Sequence, residues 1–167
     1  MKENITSHVA KGLLIALLLI VINIIGQLSQ LVYASWFGWV SLMLFFFSII
    51  ASIVYFSKQL QQPLTFGILF THGFKTAAVA ICILFLYTLL SVYLVFPGFV
   101  TKMMEEGIVQ AKKQGKTEEE IKQYLAIGKK VFLAGGLMVN LFIGALGSLI
   151  GTGTTMQFFN NRSTANK

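Results

Sequence analysis

Apolar residues along this chain fall into four long blocks, separated by short polar connections and one charged stretch. The blocks run over about 12–32, 37–56, 74–96 and 131–152. Each is close to the ~20 residues that a helix needs to cross the hydrocarbon core of a bilayer. The pattern predicts an all-α, polytopic membrane protein with four transmembrane helices. Residues 99–130, between the third and fourth, predict an amphipathic αα-hairpin. The whole of 1–167 reads as a single membrane domain, because four crossings leave no length for a second globular core.

The connections refine this scheme. Only Tyr33 to Trp36 separates the first two blocks, which predicts a tight antiparallel helical hairpin. Tyr33, Trp36 and Trp39 suit the membrane–water interface, where amphipathic rings settle at headgroup depth. Lys58 and the polar turn Gln59-Leu60-Gln61-Gln62-Pro63 follow the second block. From Leu64 to Phe96 the apolar run would span about 50 Å as one helix, against a core of about 30 Å. Leu64 to Thr71 is therefore expected as a short interfacial helix and Phe74 to Phe96 as the third crossing, ended by Pro97-Gly98.

The charged stretch has its own periodicity. Val100, Met103, Met104, Gly107, Ile108 and Ala111 recur at helical spacing and form one apolar or small face. Gln114-Gly115-Lys116 interrupts that helix. Thr117 with Glu120 three residues later is a capping box, in which side chain and backbone satisfy each other's free donors at a helix start. Glu118 and Glu119 favour the positive end of the new helix dipole, and Ile121, Tyr124 and Leu125 supply its apolar side.

Composition excludes a soluble domain: 56% of residues are hydrophobic and 11% charged, where a soluble domain carries about 25% charged residues. The net charge of +7 does not point to nucleic acid, because Lys and Arg flank membrane segments without a basic stripe of interleaved aromatics. Cys82 is the single cysteine and cannot form an internal disulfide. Lys2 and Lys11 before Leu13 to Ile25, with Val32-Tyr33-Ala34 beyond, also fit a signal peptide. The long basic segment and the interrupting Asn23, Gln27 and Gln30 favour a retained helix. Four crossings put both termini on one side. Lys and Arg are nearly balanced between the two sides, but the charge-free Tyr33 to Trp36 connection suits translocation, so both termini are expected in the cytoplasm.

The candidate functional residues are polar groups within the blocks. Asn23, Gln27 and Gln30 are spaced by four and three and share one helix face. An amide facing lipid leaves hydrogen-bonding groups unmet, so these side chains are expected to point at other helices, with Asn140 as a candidate partner. They would serve either as interhelical glue or as the lining of a solute path. Gly136, Asn140, Gly144 and Ser148 step by four along the fourth block, and Gly147 and Gly151 add a second pair. Small residues at this spacing let two helix backbones approach closely, within the chain or between two copies. His72 lacks a second His or a carboxylate nearby in sequence and reads as an interfacial polar residue; Lys75 reads as a snorkelling one. The sequence contains no Asp, and no Glu lies within a block. No metal-ligand cluster, nucleophile with an identifiable base, phosphate loop or cofactor fingerprint is present. No enzymatic activity, cofactor or metal is expected.

Several motifs in this order resemble a known family. They are Leu64-Thr65-Phe66-Gly67 leading to Gly73-Phe74-Lys75, the Pro97 exit, a Met/Glu-rich helix, the Thr117-Glu118-Glu119-Glu120-Ile121 restart and a glycine-rich last helix. The chain is similar to small bacterial four-helix membrane proteins catalogued as a domain of unknown function. It departs from that pattern at Gly98, where members often carry an acidic residue, and at Asn160-Asn161-Arg162 in place of a Lys pair. The resemblance implies architecture and a bacterial inner-membrane location, and it supplies no site. The sequence thus points to a non-enzymatic structural or accessory protein that meets the lipid bilayer and a membrane-protein partner or a second copy. A small transporter or pore lined by Asn23, Gln27, Gln30 and Asn140 is the alternative.

Overall fold

The structure, a computed structural model, describes residues 6–60 and 64–165, without the side chains of Glu106 and residues 160–165. The Gln61-Gln62-Pro63 part of the polar turn lies outside the described residues, as do Lys2 and Lys167. All regular structure among the described residues is helical, and four helices are long and apolar enough to cross a membrane. The all-α, four-span architecture is therefore as the block pattern predicts.

Helix α1 spans His8–Leu28. Its start is fixed by Ser7, whose Oγ accepts the Ala10 N–H at 3.1 Å, meeting one of the backbone donors a helix N-terminus leaves free. The turn beyond it is tight: Gln30 takes a left-handed conformation, φ 61°, before a 3-10 turn at Leu31–Tyr33. Helix α2 follows over Ser35–Gln59. The ring of Phe37 lies over Gly26, where a Cβ would collide with it; the missing side chain lets the hairpin close.

Helix α3 runs unbroken over Phe66–Leu90 and ends in a π turn at Ser91–Val95. The separate interfacial helix expected over Leu64 to Thr71 is not formed. Thr71-His72-Gly73 contains no residue that forbids helix, and an internal glycine costs only about 1 kcal/mol relative to Ala. Gly73 is also a packing position, since a Cβ there would lie 2.5 Å from Ile53 Cδ1. The π turn has a local cause. Pro97 pushes the residue before it out of the helical region, and Phe96 closes the helix by donating its N–H to the Ser91 carbonyl at 2.7 Å.

Two short helices come next, α4 over Phe99–Met103 and α5 over Glu105–Lys113. Helix α6 is then continuous from Glu118 to Ala165, 48 residues. The second arm of the hairpin and the fourth crossing, expected as two helices, are one. Gly128-Lys129-Lys130 between them holds no proline, and Met104 Sδ occupies the space over Gly128 where a Cβ would clash. Such a helix is about 72 Å long, more than twice the thickness of a bilayer core.

The chain divides into two compact units, residues 1–84 with 140–167, and residues 85–139. In the first, α1, α2, the start of α3 and the end of α6 pack around Ile15, Ala16, Phe45, Ile49, Ile53, Leu69 and Ala80. Its outer surface is equally apolar: Leu14, Trp39 and Phe142 are 68%, 67% and 64% exposed. An apolar exterior over an apolar core is what a lipid-facing bundle requires. In the second, α5 and the beginning of α6 form a helical hairpin whose seam buries Ala111 and Ile121, while Phe99 packs edge-on against Phe132 at 5.5 Å.

Candidate functional site

The structure places the polar and small residues singled out in the sequence as follows. Gln27 is buried in α1. Asn23 and Asn140 are half-buried, and each is engaged by a neighbour. Gln30 lies beyond the end of α1 and is exposed. Gly144, Gly147, Ser148 and Gly151 line one seam of α6 inside the first unit. A Cβ at Gly144 would stand 2.9 Å from Ala77 Cβ, and one at Gly147 would stand 3.3 Å from the Phe46 carbonyl oxygen. At Gly151 it would meet Ile53 Cδ1 at 3.0 Å and Ile50 Cα at 3.1 Å. Ser148 is fully buried and donates its hydroxyl to the Gly144 carbonyl at 2.8 Å. At Gly136, a Cβ would have nothing within 4 Å.

A second constellation joins residues far apart in sequence. Lys11, in the first turn of α1, is buried, and its Nζ lies 3.2 Å from His72 Nε2 on α3. The same ammonium donates to the Ser52 carbonyl oxygen on α2 at 3.4 Å. It stands 5.1 Å from the centroids of both the Tyr55 and Phe56 rings, within reach of a cation–π attraction. Phe56 stacks flat on His72, with centroids 3.7 Å apart and planes 3° from parallel. His8 meets the other side of the cluster edge-on at 6.4 Å.

Three local features hold this arrangement. Gly12 lets α1 approach α3 until a Cβ would lie 2.8 Å from the Thr76 carbonyl oxygen. Thr76 in turn donates its hydroxyl to the His72 carbonyl at 2.8 Å, bonding back along α3. Phe56 fixes the plane of the imidazole. An ammonium has only donors, so with Lys11 protonated, His72 accepts at Nε2. The Ser52 hydroxyl, buried beside them, has no hydrogen-bond partner among the described residues. Lys11 and Ser52 line one end of a groove of about 470 Å³ between α1 and α2, and Leu14, Leu18, Ser48 and Ala51 continue it.

This cluster leaves little trace in the sequence. Lys11 and His72 are 61 residues apart, and neither belongs to a motif. The usable signals were a lysine placed at the edge of an apolar block and a histidine inside another, both costly in a membrane unless they meet a partner.

The hairpin of the second unit shows the expected capping chemistry. Thr117 donates its N–H to Glu120 Oε2 at 2.8 Å, and Glu120 donates its N–H to Thr117 Oγ1 at 3.3 Å. Gly115 has φ 76°, a left-handed conformation open to glycine at little cost. The Tyr124 hydroxyl closes over Gly107, 2.7 Å from where a Cβ would be. Outside this seam, Val109 and Tyr124 are exposed, as are Lys112, Lys113 and Lys122.

Residues 10–154 match the family model described as protein of unknown function, DUF4199. Neither a curated protein nor a solved structure matches the chain.

Proposed function

Because the chain belongs to the DUF4199 family of proteins of unknown function, we propose its role from the geometry alone: it is a non-enzymatic accessory protein of the bacterial inner membrane. It acts by contact, through the charged hairpin of α5 and the start of α6, with a membrane-protein partner. Both termini lie in the cytoplasm and the hairpin lies on the opposite side.

The observation that carries this reading is the use of the glycine seam. Gly144, Gly147 and Gly151 already hold α6 against α2 and α3 of the same chain. The seam is therefore engaged within the chain, and the hairpin offers a surface that combines charge with exposed apolar groups. Charge reversal of Lys112, Lys113 and Lys122 to Glu tests the reading. The set of copurifying membrane proteins is expected to shrink, and an unchanged set would sink it.

A further inference from the structure

We propose that the groove between α1 and α2 binds an anionic phospholipid of the surrounding bilayer, with its phosphate on Lys11 and Ser52 and an acyl chain along Leu14, Leu18 and Ala51. Nothing in the contact role described above requires this site, and the two stand or fall separately.

Four observations converge on it. Lys11 is a buried cation with three donor protons, of which two are directed to the Ser52 carbonyl and His72. The same ammonium, 5.1 Å from the Tyr55 and Phe56 ring centroids, belongs to a residue that lines the groove. Ser52 is 7% exposed and lines the same groove; its hydroxyl is enclosed and has no hydrogen-bond partner among the described residues, so it meets a groove anion by turning about its Cα–Cβ bond. A buried hydroxyl without a partner costs free energy that an acceptor oxygen would recover. The two groups thus offer a cationic and a neutral donor to one anion.

Charge points the same way. No carboxylate occurs among the described residues of the first unit; its one acidic residue in sequence is Glu3. A buried ammonium needs a counter-charge or pays a desolvation cost of several kcal/mol, and the bilayer is the abundant source of anions at this depth. Lys11 sits in the first turn of α1, at the headgroup end of its span. Leu14 and Leu18 are one and two turns deeper, as is Ser48 relative to Ser52 on the antiparallel helix. The groove therefore changes from polar to apolar in the direction in which a lipid changes from head to tail. Leu14 and Tyr55 on its rim are 68% and 55% exposed, so a chain can enter sideways from the bilayer. A volume of about 470 Å³ holds a headgroup and part of one chain, within the usual ~300–1,000 Å³ of small-molecule sites.

The test is native mass spectrometry of the full chain in dodecyl maltoside, titrated separately with phosphatidylglycerol and phosphatidylcholine. Phosphatidylglycerol is expected to bind about tenfold more tightly, the worth of one charge-assisted contact. Lys11→Gln is expected to lower phosphatidylglycerol binding more than phosphatidylcholine binding, and so to abolish that preference, and Ser52→Ala to weaken phosphatidylglycerol binding about threefold. Ala51→Trp, which fills the tail end, is expected to lower binding of both lipids. Equal binding of the two lipids by the parent protein overturns the proposal, as does a preference that survives in Lys11→Gln. Competition by glycerol phosphate at the same concentration would assign the site to a free anion and overturn the lipid reading. A thermal midpoint close to the parent's shows that a variant is folded; should Lys11→Gln fail that check, Ser52→Ala and Ala51→Trp decide.

Discussion

Lys11 Nζ lies 3.2 Å from His72 Nε2, and the Phe56 ring stacks on that imidazole at 3.7 Å. Two basic side chains from different helices thus share one hydrogen bond, roofed by an aromatic ring, with no carboxylate among the described residues of their unit. A cation held this way detracts from the stability of the lipid-free chain, because burial removes its hydration and no carboxylate among the described residues of its unit offsets that loss.

Replacing Lys11 by Met therefore leaves the fold intact and leaves the thermal midpoint in detergent unchanged or raised. Phe56→Ala, which opens a cavity beside His72, lowers stability by about 3 kcal/mol. Unfolding monitored by circular dichroism compares the two. A loss of more than about 2 kcal/mol in Lys11→Met would show that the ammonium is a structural tie.

Gly151→Leu destabilises the first unit by about 1–3 kcal/mol, the usual cost of overpacking a filled contact. The reason is backbone proximity: Ile50 Cα stands 3.1 Å from the added Cβ position and cannot rotate away. Gly136→Ala, where nothing lies within 4 Å, is neutral or stabilising by up to about 1 kcal/mol through its helix propensity. The same unfolding assay separates them, and equal losses at both positions would contradict the seam.

The hairpin break depends on Gly115 and Thr117. Gly115→Ala costs about 1 kcal/mol at φ 76°, and Thr117→Ala costs about 1 kcal/mol by removing the cap. Both appear as faster hydrogen exchange of amides 117–121, with little change at 144–152. Uniform acceleration along α6 would mean that the cap is not local.

Much of this was legible before the structure. Four apolar blocks gave the crossings, and Thr117 with Glu120 gave the second arm's start, because capping is a three-residue signal that needs no tertiary context. What the sequence could not show was continuity. Lys129-Lys130 reads as the end of a span, yet lysine is a good helix former and α6 passes straight through it. His72-Gly73 likewise looked like a break in α3, although Gly73 serves a contact with Ile53. The Lys11–His72 pair was out of reach for another reason. It depends on the rotation of α1 against α3, set by the close approach at Gly12 and Thr76, and no local pattern encodes a register between helices 61 residues apart.

Orientation is testable with a thiol. Cys82 is exposed and is replaced first by Ser, then Lys116→Cys places a label in the hairpin connection without straining Gly115. A membrane-impermeant maleimide applied to intact cells is expected to label position 116, because both termini are cytoplasmic under the proposed topology. Labelling only after lysis would invert it.

Site-specific photo-crosslinking in living cells reaches the central claim, that the hairpin is the contact surface, most directly. A photoreactive residue at Lys113 or Lys122 is expected to give discrete protein adducts, whereas one at the apolar, 64% exposed Phe142 on α6 is expected to give lipid adducts alone. Absence of protein adducts from both hairpin positions, or a covalent dimer of this chain formed through Phe142, would contradict the account.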